Sequence, residues 1–371
     1  MTESLRVAVI CHFPPPPGGM PAQAVALVNG LRSEGICAIP IPTNLTGNAV
    51  TLALDRVRAV RTCVRVPAFL CRLLLAAPRV DVFHILSCSG LAFFLFTLPT
   101  ILVAKLFRRR AILHYHGGEA RVFFARCPKF FRRIVRMADV VVVPSAFLKS
   151  VFADLGVTAS VVQNICPLDR FRISQPRQAS ARLIVARHLE PVYNVACILR
   201  GFELVKRRYR DASLVVLGGG SEESTLRARA IDLGIADAVS FLGYVRNEDI
   251  PAKFAAASIF VNASLADNQP ISILEAFAAG LPVITSAAGG IVDIVEHERT
   301  GLLFRPTTPE ALAESVFRAL ENPELTRTIT ARARETVAKY SWERVFPKLA
   351  AAYGLKRASA ADAIREHEYV H

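Results

Sequence analysis

SLADNQPISILEAFAAGLPVI, residues Ser264 to Ile284, is the stretch that decides the fold of this chain of 371 residues. Its pattern of apolar and polar positions predicts the end of a strand, a polar loop, a helix and a second strand. We expect Asn268 or Gln269 to cap the helix, and Pro270 to occupy its first turn, where a missing N–H group needs no partner. Gly280 then supplies the left-handed residue at which the helix ends.

The start of this helix is a candidate site for an anion. The backbone N–H groups from about Ile271 to Ile273, including that of Ser272, have no partner within a helix, and such groups attract phosphate. Asp267 stands just before the helix, and Glu275 lies within it. Because carboxylates accept hydrogen bonds from hydroxyl groups, the stretch predicts recognition of hydroxyls beside a bound anion.

Length and composition favour two domains and no membrane span. A chain of 371 residues is long for one hydrophobic core. It is 52% hydrophobic with a mean hydropathy of +0.36. The most apolar segment, residues 90–104, contains Pro99 and is shorter than the ~20 residues that cross a bilayer. We expect that segment to form a buried or interfacial helix.

The eight cysteines are scattered and include no Cys-x-x-Cys pair. We therefore predict buried free thiols in a reducing compartment, rather than disulfides or a metal site. The first residues lack a cleavage-site pattern, so no secretory signal is expected. Both features favour a cytoplasmic location.

Positive charge is concentrated in the first half of the chain. Up to Gln175 there are 21 Lys and Arg against 8 Asp and Glu, and beyond it 24 against 23. Binding of nucleic acid by the whole protein does not predict this split, whereas a first domain that faces an anionic surface does. The basic clusters are Arg58, Arg61, Arg65 and Arg72, and then Arg126, Lys129, Arg132, Arg133 and Arg136 beside Phe130 and Phe131. They are either solvated helix faces or a peripheral membrane surface that docks on lipid headgroups.

The first half alternates apolar strands with helical segments. The apolar run at residues 5–11 precedes a loop with Gly18 and Gly19 and a helical segment at about 22–34. That order is typical of the start of a Rossmann-like unit, but the loop lacks the Gly-x-Gly-x-x-Gly spacing of a dinucleotide site. Further apolar runs at 80–86, 111–115, 140–143 and 160–163 predict a parallel sheet.

The second half repeats this alternation after a polar segment at residues 174–178. Strands are predicted at 183–186, 213–217, 239–242, 259–262 and 301–304. We therefore expect an α/β fold with two doubly wound domains, residues 1–175 and residues 176–345. Residues 346–371 are expected to form a helical tail that packs back on the first domain.

The ordered residues of the second half resemble glycosyltransferase family 4, which has the GT-B fold of two Rossmann-like domains facing a central cleft. Asp267 and Glu275 stand at the family's spacing, with seven positions between them. The sequence from Glu275 to Val283 matches the family's Glu-Ala-x-Ala-x-Gly-x-Pro-Val signature. Further matches follow at residues 287–291, Glu296 and residues 300–303 and, with less specificity, at residues 82–84, 114–118 and 138–145.

The resemblance implies roles for five residues. Glu275 would bind the ribose hydroxyls of a nucleotide, and Asp267, where the family usually has Glu, would contact the donor sugar. Arg187 would bind the diphosphate, and Tyr193 stands where the family has Lys as a second cation. Tyr193 would donate one hydrogen bond there. His116 matches a histidine that contacts the donor, so His116, Arg187 and Asp267 are the predicted catalytic residues.

Further residues complete the predicted donor site. Contacts are implied for Gly18, Gly19, Gly218, Val245, Asn268, Gln269, Ile271 and Ser272, in addition to Arg187, Tyr193, Asp267 and Glu275. Gly218 is also explained by a tight turn. His84 and His114 are also explained as hydrogen-bonded histidines at strand ends.

Together these features predict a glycosyltransferase of the hexosyltransferase class, and the resemblance implies that it retains the anomeric configuration. It would move a sugar from a nucleotide diphosphate sugar to a glycan or lipid-linked acceptor in polysaccharide or glycoconjugate biosynthesis. Arg187 and the helix start would neutralise the diphosphate, so no metal and no other cofactor is expected. The alternatives are an enzyme with a small soluble acceptor, a non-catalytic GT-B binding or scaffold protein, and a nucleotide-sugar epimerase.

Overall fold

The computed structural model describes residues 5–15, 18–44, 58–171 and 181–355. Within them, two six-stranded parallel sheets with packed helices make an α/β fold, which confirms the predicted fold class. The expected domain boundary at residues 175 and 176 lies outside the described residues, as does the end of the expected tail, residues 356–371.

The first sheet is built from the first half of the chain. Its strands are β1 (Arg6–Cys11), β2 (Cys37–Pro42), β3 (Val82–Ser87), β4 (Arg110–Tyr115), β5 (Val140–Val143) and β6 (Ser160–Val161). The helices between them are α1 (Gly19–Ser33), α2 (Arg58–Ala76), α3 (Leu98–Leu106), α4 (Ala120–Ala125), α5 (Pro128–Val135) and α6 (Ala146–Asp154).

The second sheet follows the same plan. Its strands are β7 (Arg182–Ala186), β8 (Ser213–Leu217), β9 (Val239–Gly243), β10 (Ile259–Asn262), β11 (Val283–Ser286) and β12 (Leu302–Phe304). Its helices are α7 (Val195–Arg208), α8 (Glu223–Asp232), α9 (Ile250–Ala256), α10 (Ile271–Ala278), α11 (Pro309–Glu321) and α12 (Pro323–Val337), and α13 (Trp342–Tyr353) follows.

Strand order fixes where each sheet is able to bind a ligand. The orders are β2-β1-β3-β4-β5-β6 and β12-β11-β10-β7-β8-β9, and every pairing is parallel. Connections leave β1 and β3 in opposite directions, and likewise β7 and β10. The loops at the carboxyl ends of these strands diverge, which leaves the crevice that binds ligands in open α/β sheets.

Apolar side chains on both faces of each strand explain why helices cover the sheets. The four valines of β5 are buried except the first, which is partly exposed. All residues of β3, β10 and β11 are buried. The second sheet separates two apolar clusters, one centred on Phe202 and one on Phe277. Each domain therefore has its own hydrophobic core.

The last described helix, α13, crosses back to the first domain. Val345, Leu349 and Tyr353 are buried in the same apolar cluster as the residues of β1 and α1. The Trp342 indole donates to Glu34 Oε1 at 2.9 Å and lies over Gly30, where any Cβ atom would come within 2.6 Å of the ring. The core of the first domain is thus completed by residues from the end of the described chain.

Several local expectations are corrected by the structure. Pro270, rather than Asn268 or Gln269, is the residue that precedes α10, and no side chain caps this helix. Gly280 does provide the left-handed exit, with φ of 66°. Residues 90–104 include a π-helical turn at Phe93–Thr97 before α3 begins.

The cysteines are only partly as expected. All eight are free thiols, as predicted. Cys11, Cys166 and Cys197 are buried, but Cys37, Cys63, Cys71 and Cys127 are exposed. The exposed ones lie on helices or at strand and helix starts, where one face meets solvent, so an apolar sequence neighbourhood did not imply burial.

Candidate active site

The two domains approach each other along the carboxyl ends of their sheets. Gly18, after β1, lies against His188, after β7, and a Cβ atom on this glycine would come within 3.1 Å of His188 Nε2. Gly118, after β4, faces the backbone of Asp267, and its added Cβ would lie 3.7 Å from Asp267 Cα. The tight contact is at Gly18, whereas a Cβ atom at Gly118 would make ordinary van der Waals contact.

Arg187 and Asp267 form an ion pair at the switch point of the second sheet. Arg187 follows β7 and Asp267 follows β10, and Arg187 Nη2 donates to Asp267 Oδ2. Their side chains are only 10% and 15% exposed, so solvent screens the pair weakly. Asp267 Oδ1 accepts from the N–H of Asn268 at 2.8 Å. Both predicted catalytic residues of this domain are therefore in direct contact.

Tyr193 lies beneath the Arg187 side chain. The guanidinium carbon is 4.2 Å from the centre of the Tyr193 ring, a cation–π contact. Arg187 Nε is buried and has no hydrogen-bond partner among the described residues. Burial lowers the pKa of Arg187, but a guanidinium stays charged at neutral pH. Nη2 is consequently held by Asp267, whereas the neighbouring Nε is unpaired among the described residues.

The start of α10 presents polar groups to the cleft. Ile273 donates its N–H to Pro270 O at 3.1 Å, so the expectation that this group is free is wrong. The N–H groups of Ile271 and Ser272 stand at the open end of the helix, where the helix dipole favours an anion. Ser272 Oγ is buried without a hydrogen-bond partner in the described part of the chain.

Glu275 is buried one turn further into α10. The residue is only 9% exposed, and its side chain accepts no hydrogen bond from the described residues. Burial raises the pKa of this carboxyl to about 7, and the charge of Arg170 partly opposes the rise. A buried carboxylate without a donor is costly, so hydroxyl donors from a ligand would stabilise it.

His116 contributes the side chain of the first domain that was predicted to be catalytic. Its backbone oxygen accepts from Asn268 Nδ2 at 2.7 Å, and its ring lies 4.2 Å from that of His114. Burial lowers the pKa of His116 to about 4, so the imidazole is neutral at pH 7. His116 Nε2 is buried and has no partner among the described residues.

His84 and His114 belong to the interior of the first domain. His84 Nε2 lies 3.1 Å from His114 Nδ1, and His84 Nδ1 lies 2.9 Å from the Tyr353 hydroxyl. Burial lowers the pKa of His84 to about 3 and that of His114 well below its usual range, so both are neutral. Both ring nitrogens of His84 have partners, which matches the interpretation as a hydrogen-bonded histidine, whereas His114 Nε2 is buried without a partner among the described residues.

The side chain of Gln269 is directed away from the donor side of the cleft. Its Nε2 donates to Pro144 O at 3.0 Å, and its Oε1 accepts from Asn164 N at 2.5 Å. Asn164 Nδ2 in turn donates to Gln269 O at 2.9 Å. The expected donor contact of Gln269 is therefore replaced by hydrogen bonds between the domains. Asn268 shares this role through Nδ2, while its Oδ1 is buried without a described partner.

Gly218 and Val245 lie on loops at the same edge of the second sheet. Gly218 has φ of 121°, and a Cβ atom there would come within 1.9 Å of Arg187 O. The glycine is therefore required by the backbone of the loop that carries Arg187. Val245 is partly buried after β9, next to Tyr244, whose hydroxyl donates to Gly219 O at 3.1 Å.

Sequence reasoning missed two residues of the cleft. Asn164 joins the domains to Gln269 across 105 positions of sequence, so no local pattern revealed it. His188 faces Gly18 and lies 3.4 Å, through Nδ1, from the Tyr244 hydroxyl. Its place directly after Arg187, on the loop that follows β7, was the one available signal.

The cleft gathers buried polar atoms that the described residues leave unpaired. They include His116 Nε2, Asn164 Oδ1, Arg187 Nε, Asn268 Oδ1 and Ser272 Oγ. Because buried polar groups are nearly always hydrogen-bonded, such a cluster indicates a place for a polar ligand. Among the described residues, no group of three His, Cys, Asp or Glu is placed to hold a metal ion. None of the described helices is long and apolar enough to span a bilayer.

Comparison with known proteins gives consistent family and fold assignments. Residues 169–336 match the family model for "Glycosyl transferases group 1". The "GDP-mannose-dependent alpha-(1-6)-phosphatidylinositol monomannoside mannosyltransferase" of Mycobacterium tuberculosis is 31% identical over 265 residues, which cover 65% of this chain and 68% of that protein. The "D-inositol 3-phosphate glycosyltransferase" of Salinispora arenicola is 29% identical over 50% of this chain and 44% of its own length.

Solved structures share the fold across most of the chain. Anabaena Alr3699/HepE in complex with UDP-glucose superposes with a TM-score of 0.74 and 18% identity, covering 94% of this chain and 99% of that one. The sucrose-phosphate synthase of Thermosynechococcus elongatus gives a TM-score of 0.75 with 18% identity, over 94% of this chain and 98% of its own.

Replacing Gln269 by Ala should weaken the junction between the domains. The substitution leaves Pro144 O and Asn164 N buried without their partner, at a cost of about 1–3 kcal/mol each. Thermal unfolding and small-angle X-ray scattering should show a lower melting temperature and a larger radius of gyration. Gln163→Ala, which removes only an exposed contact with Lys348, is the control. Equal behaviour of both variants would contradict this role.

Replacing Glu275 by Gln should change how stability depends on pH. The pKa of Glu275 rises from 4.5 to about 7 on folding, so the folded state binds the proton more tightly. The raised pKa contributes about 3 kcal/mol to the free energy of unfolding. This contribution is fully present below pH 4.5 and is lost as pH rises through 7. The free energy of unfolding of both proteins is measured with urea. As pH rises, the value for Glu275→Gln should therefore increase relative to the value for the unsubstituted protein. The exposed Glu335→Gln should show no such gain.

Proposed function

The chain belongs to the group 1 glycosyltransferases, and from that premise we propose that it transfers a sugar from a nucleotide diphosphate sugar to an acceptor with retention of configuration. The observation that carries the proposal is the buried Arg187–Asp267 pair before the start of α10, with Arg187 Nε, Asn268 Oδ1 and Ser272 Oγ unpaired among the described residues and His116 joined to Asn268 through its backbone oxygen. It combines a cation, an open helix start and a neutral imidazole, which together suit an anionic, hydroxyl-rich ligand.

Arg187 and the start of α10 bind the diphosphate in this proposal. During transfer the bond between the anomeric carbon and the phosphate oxygen breaks, and negative charge develops on the departing diphosphate. The guanidinium and the N–H groups of Ile271 and Ser272 are already in place for that charge, so they stabilise the transition state more than the bound donor. These groups make a metal ion unnecessary in the mechanism that we propose.

The acceptor oxygen bonds to the anomeric carbon on the face from which the diphosphate leaves. Its proton passes to the departing phosphate oxygen, which balances the reaction and retains the configuration. Glu275 accepts hydrogen bonds from the ribose hydroxyls, and Asp267 accepts one from the sugar. The neutral His116 imidazole donates a hydrogen bond from Nε2 to the bound nucleotide sugar. This bond gives the otherwise unpaired nitrogen a partner.

The acceptor is proposed to be lipid-linked, because the first domain exposes a basic and apolar surface. We define the basic surface as Arg126, Lys129 and Arg133 with Val122 and Phe130, on α4 and α5 and the turn between them. Val122 is 61% exposed and Phe130 47% exposed. Phe130 also stacks on Phe94 at 6.3 Å, which ties the surface to the interior.

Such a surface suits the headgroup region of an anionic membrane. Basic side chains interact with the lipid phosphates while exposed aromatic and aliphatic groups enter the acyl boundary. A relative of this chain is named for transfer to a phosphatidylinositol monomannoside, which supports a lipid-linked acceptor. The location that follows is peripheral, on the cytoplasmic face. The side chains of Arg58 and Arg61, expected to contribute, lie outside the described residues.

Donor turnover tests the proposed reaction directly. UDP-, GDP- and ADP-sugars should be incubated with an acceptor mixture, and release of nucleoside diphosphate and the anomeric protons of the product followed by NMR. Arg187→Gln should lower turnover about 10²–10³-fold, the loss typical for one transition-state donor. Arg182→Gln, at the opposite end of β7 and exposed, is the matched control.

Four results would count against this proposal. Inverted configuration would exclude the retaining mechanism, and sugar conversion without an acceptor would favour an epimerase. Nucleotide binding without turnover of any donor would favour a non-catalytic role. Full activity of Arg187→Gln would remove the assigned leaving-group contact.

Vesicle sedimentation tests the basic surface. Lys129→Glu/Arg133→Glu should weaken binding to vesicles that contain phosphatidylglycerol about tenfold or more, since each basic residue contributes about 1 kcal/mol. Arg327→Glu/Arg332→Glu makes the same charge change on exposed positions of α12 and should bind like the unsubstituted protein. Equal recovery in the supernatant with neutral and anionic vesicles at low salt would overturn the membrane proposal.

A further inference from the structure

Tyr193 is held in place by the local backbone of the loop after β7. It ends a short 3₁₀ turn at Pro191–Tyr193, and its N–H donates to Glu190 O at 2.9 Å. Asn194 follows in the left-handed region with φ of 49°, which turns the chain directly into α7. Asn tolerates that region better than most side chains. The ring therefore sits on a fixed turn.

Arg187 is confined on three sides. Its guanidinium lies over the Tyr193 ring at 4.2 Å, and its Nη2 donates to Asp267. Its carbonyl lies so close to Gly218 that no side chain fits between them. Nε, in contrast, is buried and unpaired among the described residues. The side chain is thus fixed, and one hydrogen-bonding atom remains available.

We propose that Tyr193 is a positioning residue for the donor, and that its ring holds Arg187 so that the Nε edge meets the diphosphate. The inference rests on the proposed function of the cleft and adds a task for a residue that carries no charge. An arginine loses much side-chain freedom when it binds a phosphate. The ring and Asp267 have already removed that freedom, so binding of the diphosphate does not have to supply it.

The cation–π contact involves the ring, while the Tyr193 hydroxyl also favours the charged guanidinium. The 4.2 Å distance joins the guanidinium carbon to the ring centre, and the face of an aromatic ring attracts a cation. Phenylalanine should therefore replace Tyr193 with little loss. Leucine has similar bulk but no aromatic face, so it separates the cation–π contact from simple packing.

Calorimetry with nucleotides tests the proposal without any turnover. The dissociation constants of UDP and UMP, and of GDP and GMP, should be measured for the unsubstituted protein and for Tyr193→Phe, Tyr193→Leu and Tyr193→Ala. The ratio of the monophosphate dissociation constant to the diphosphate dissociation constant measures how much the second phosphate contributes to binding. It should fall about tenfold in Tyr193→Leu and Tyr193→Ala, and stay within about twofold in Tyr193→Phe.

Tyr209→Ala is the matched control. Arg208 lies over the Tyr209 ring at 6.0 Å, so this variant also removes an aromatic partner of an arginine, at the far end of α7. Its nucleotide ratio should equal that of the unsubstituted protein. Thermal unfolding of every variant confirms that the comparison is made on folded protein.

The outcomes separate this inference from the proposed function. An unchanged ratio in Tyr193→Leu, or a loss in Tyr193→Phe as large as in Tyr193→Ala, would overturn the role of the ring. Either result would leave the proposed function standing. An unsubstituted protein that binds neither UDP nor GDP would overturn the proposed function and this inference with it.

Discussion

The hydrogen bonds that join the two domains through Asn268 and Gln269 are the constraint on which the cleft depends. The amide of Asn268 reaches His116 O, and that of Gln269 reaches Pro144 O and Asn164 N. These contacts are buried, so breaking them would leave backbone groups without partners or water. The loop between β10 and α10 therefore fixes the distance between the sheets, and the same loop carries Asp267. The contacts that bring the two domains together therefore also place Asp267 in the cleft.

Charge in the cleft is balanced in an unusual way for a site that binds an anion. The Arg187 guanidinium is already paired with Asp267, and Glu275 is buried with a pKa near 7. The diphosphate that we propose as ligand would therefore meet a cation that has a counter-ion. The pair is nearly excluded from solvent, so its electrostatic interaction is strong. Any ligand that rearranges the pair changes that interaction. The unpaired Nε allows Arg187 to bind a phosphate oxygen while the neighbouring Nη2 stays with Asp267.

The α/β class, both sheets and the loop–helix–strand unit around α10 could be predicted from the sequence alone. These features depend on continuous apolar runs and on the Asp267–Glu275 spacing, which are local patterns in the sequence. Sequence reasoning also placed Arg187, Asp267 and His116 on loops that do meet in the cleft. It failed where partners are distant in sequence. Asn268 and Gln269 were expected to cap their own helix, but the first domain offers buried carbonyl groups that compete for the same amides. The stack of Arg187 on Tyr193 depends on a side-chain direction that no spacing reveals.

The return of α13 to the first domain makes that domain discontinuous in sequence. Its apolar cluster joins Val9 and Leu31 to Val345 and Leu349, so two segments more than three hundred residues apart share one core. During synthesis the second sheet is complete before the first domain receives its last helix. The core of the domain that is synthesised first therefore cannot be completed until α13 has been made, and its completion closes a loop of more than three hundred residues.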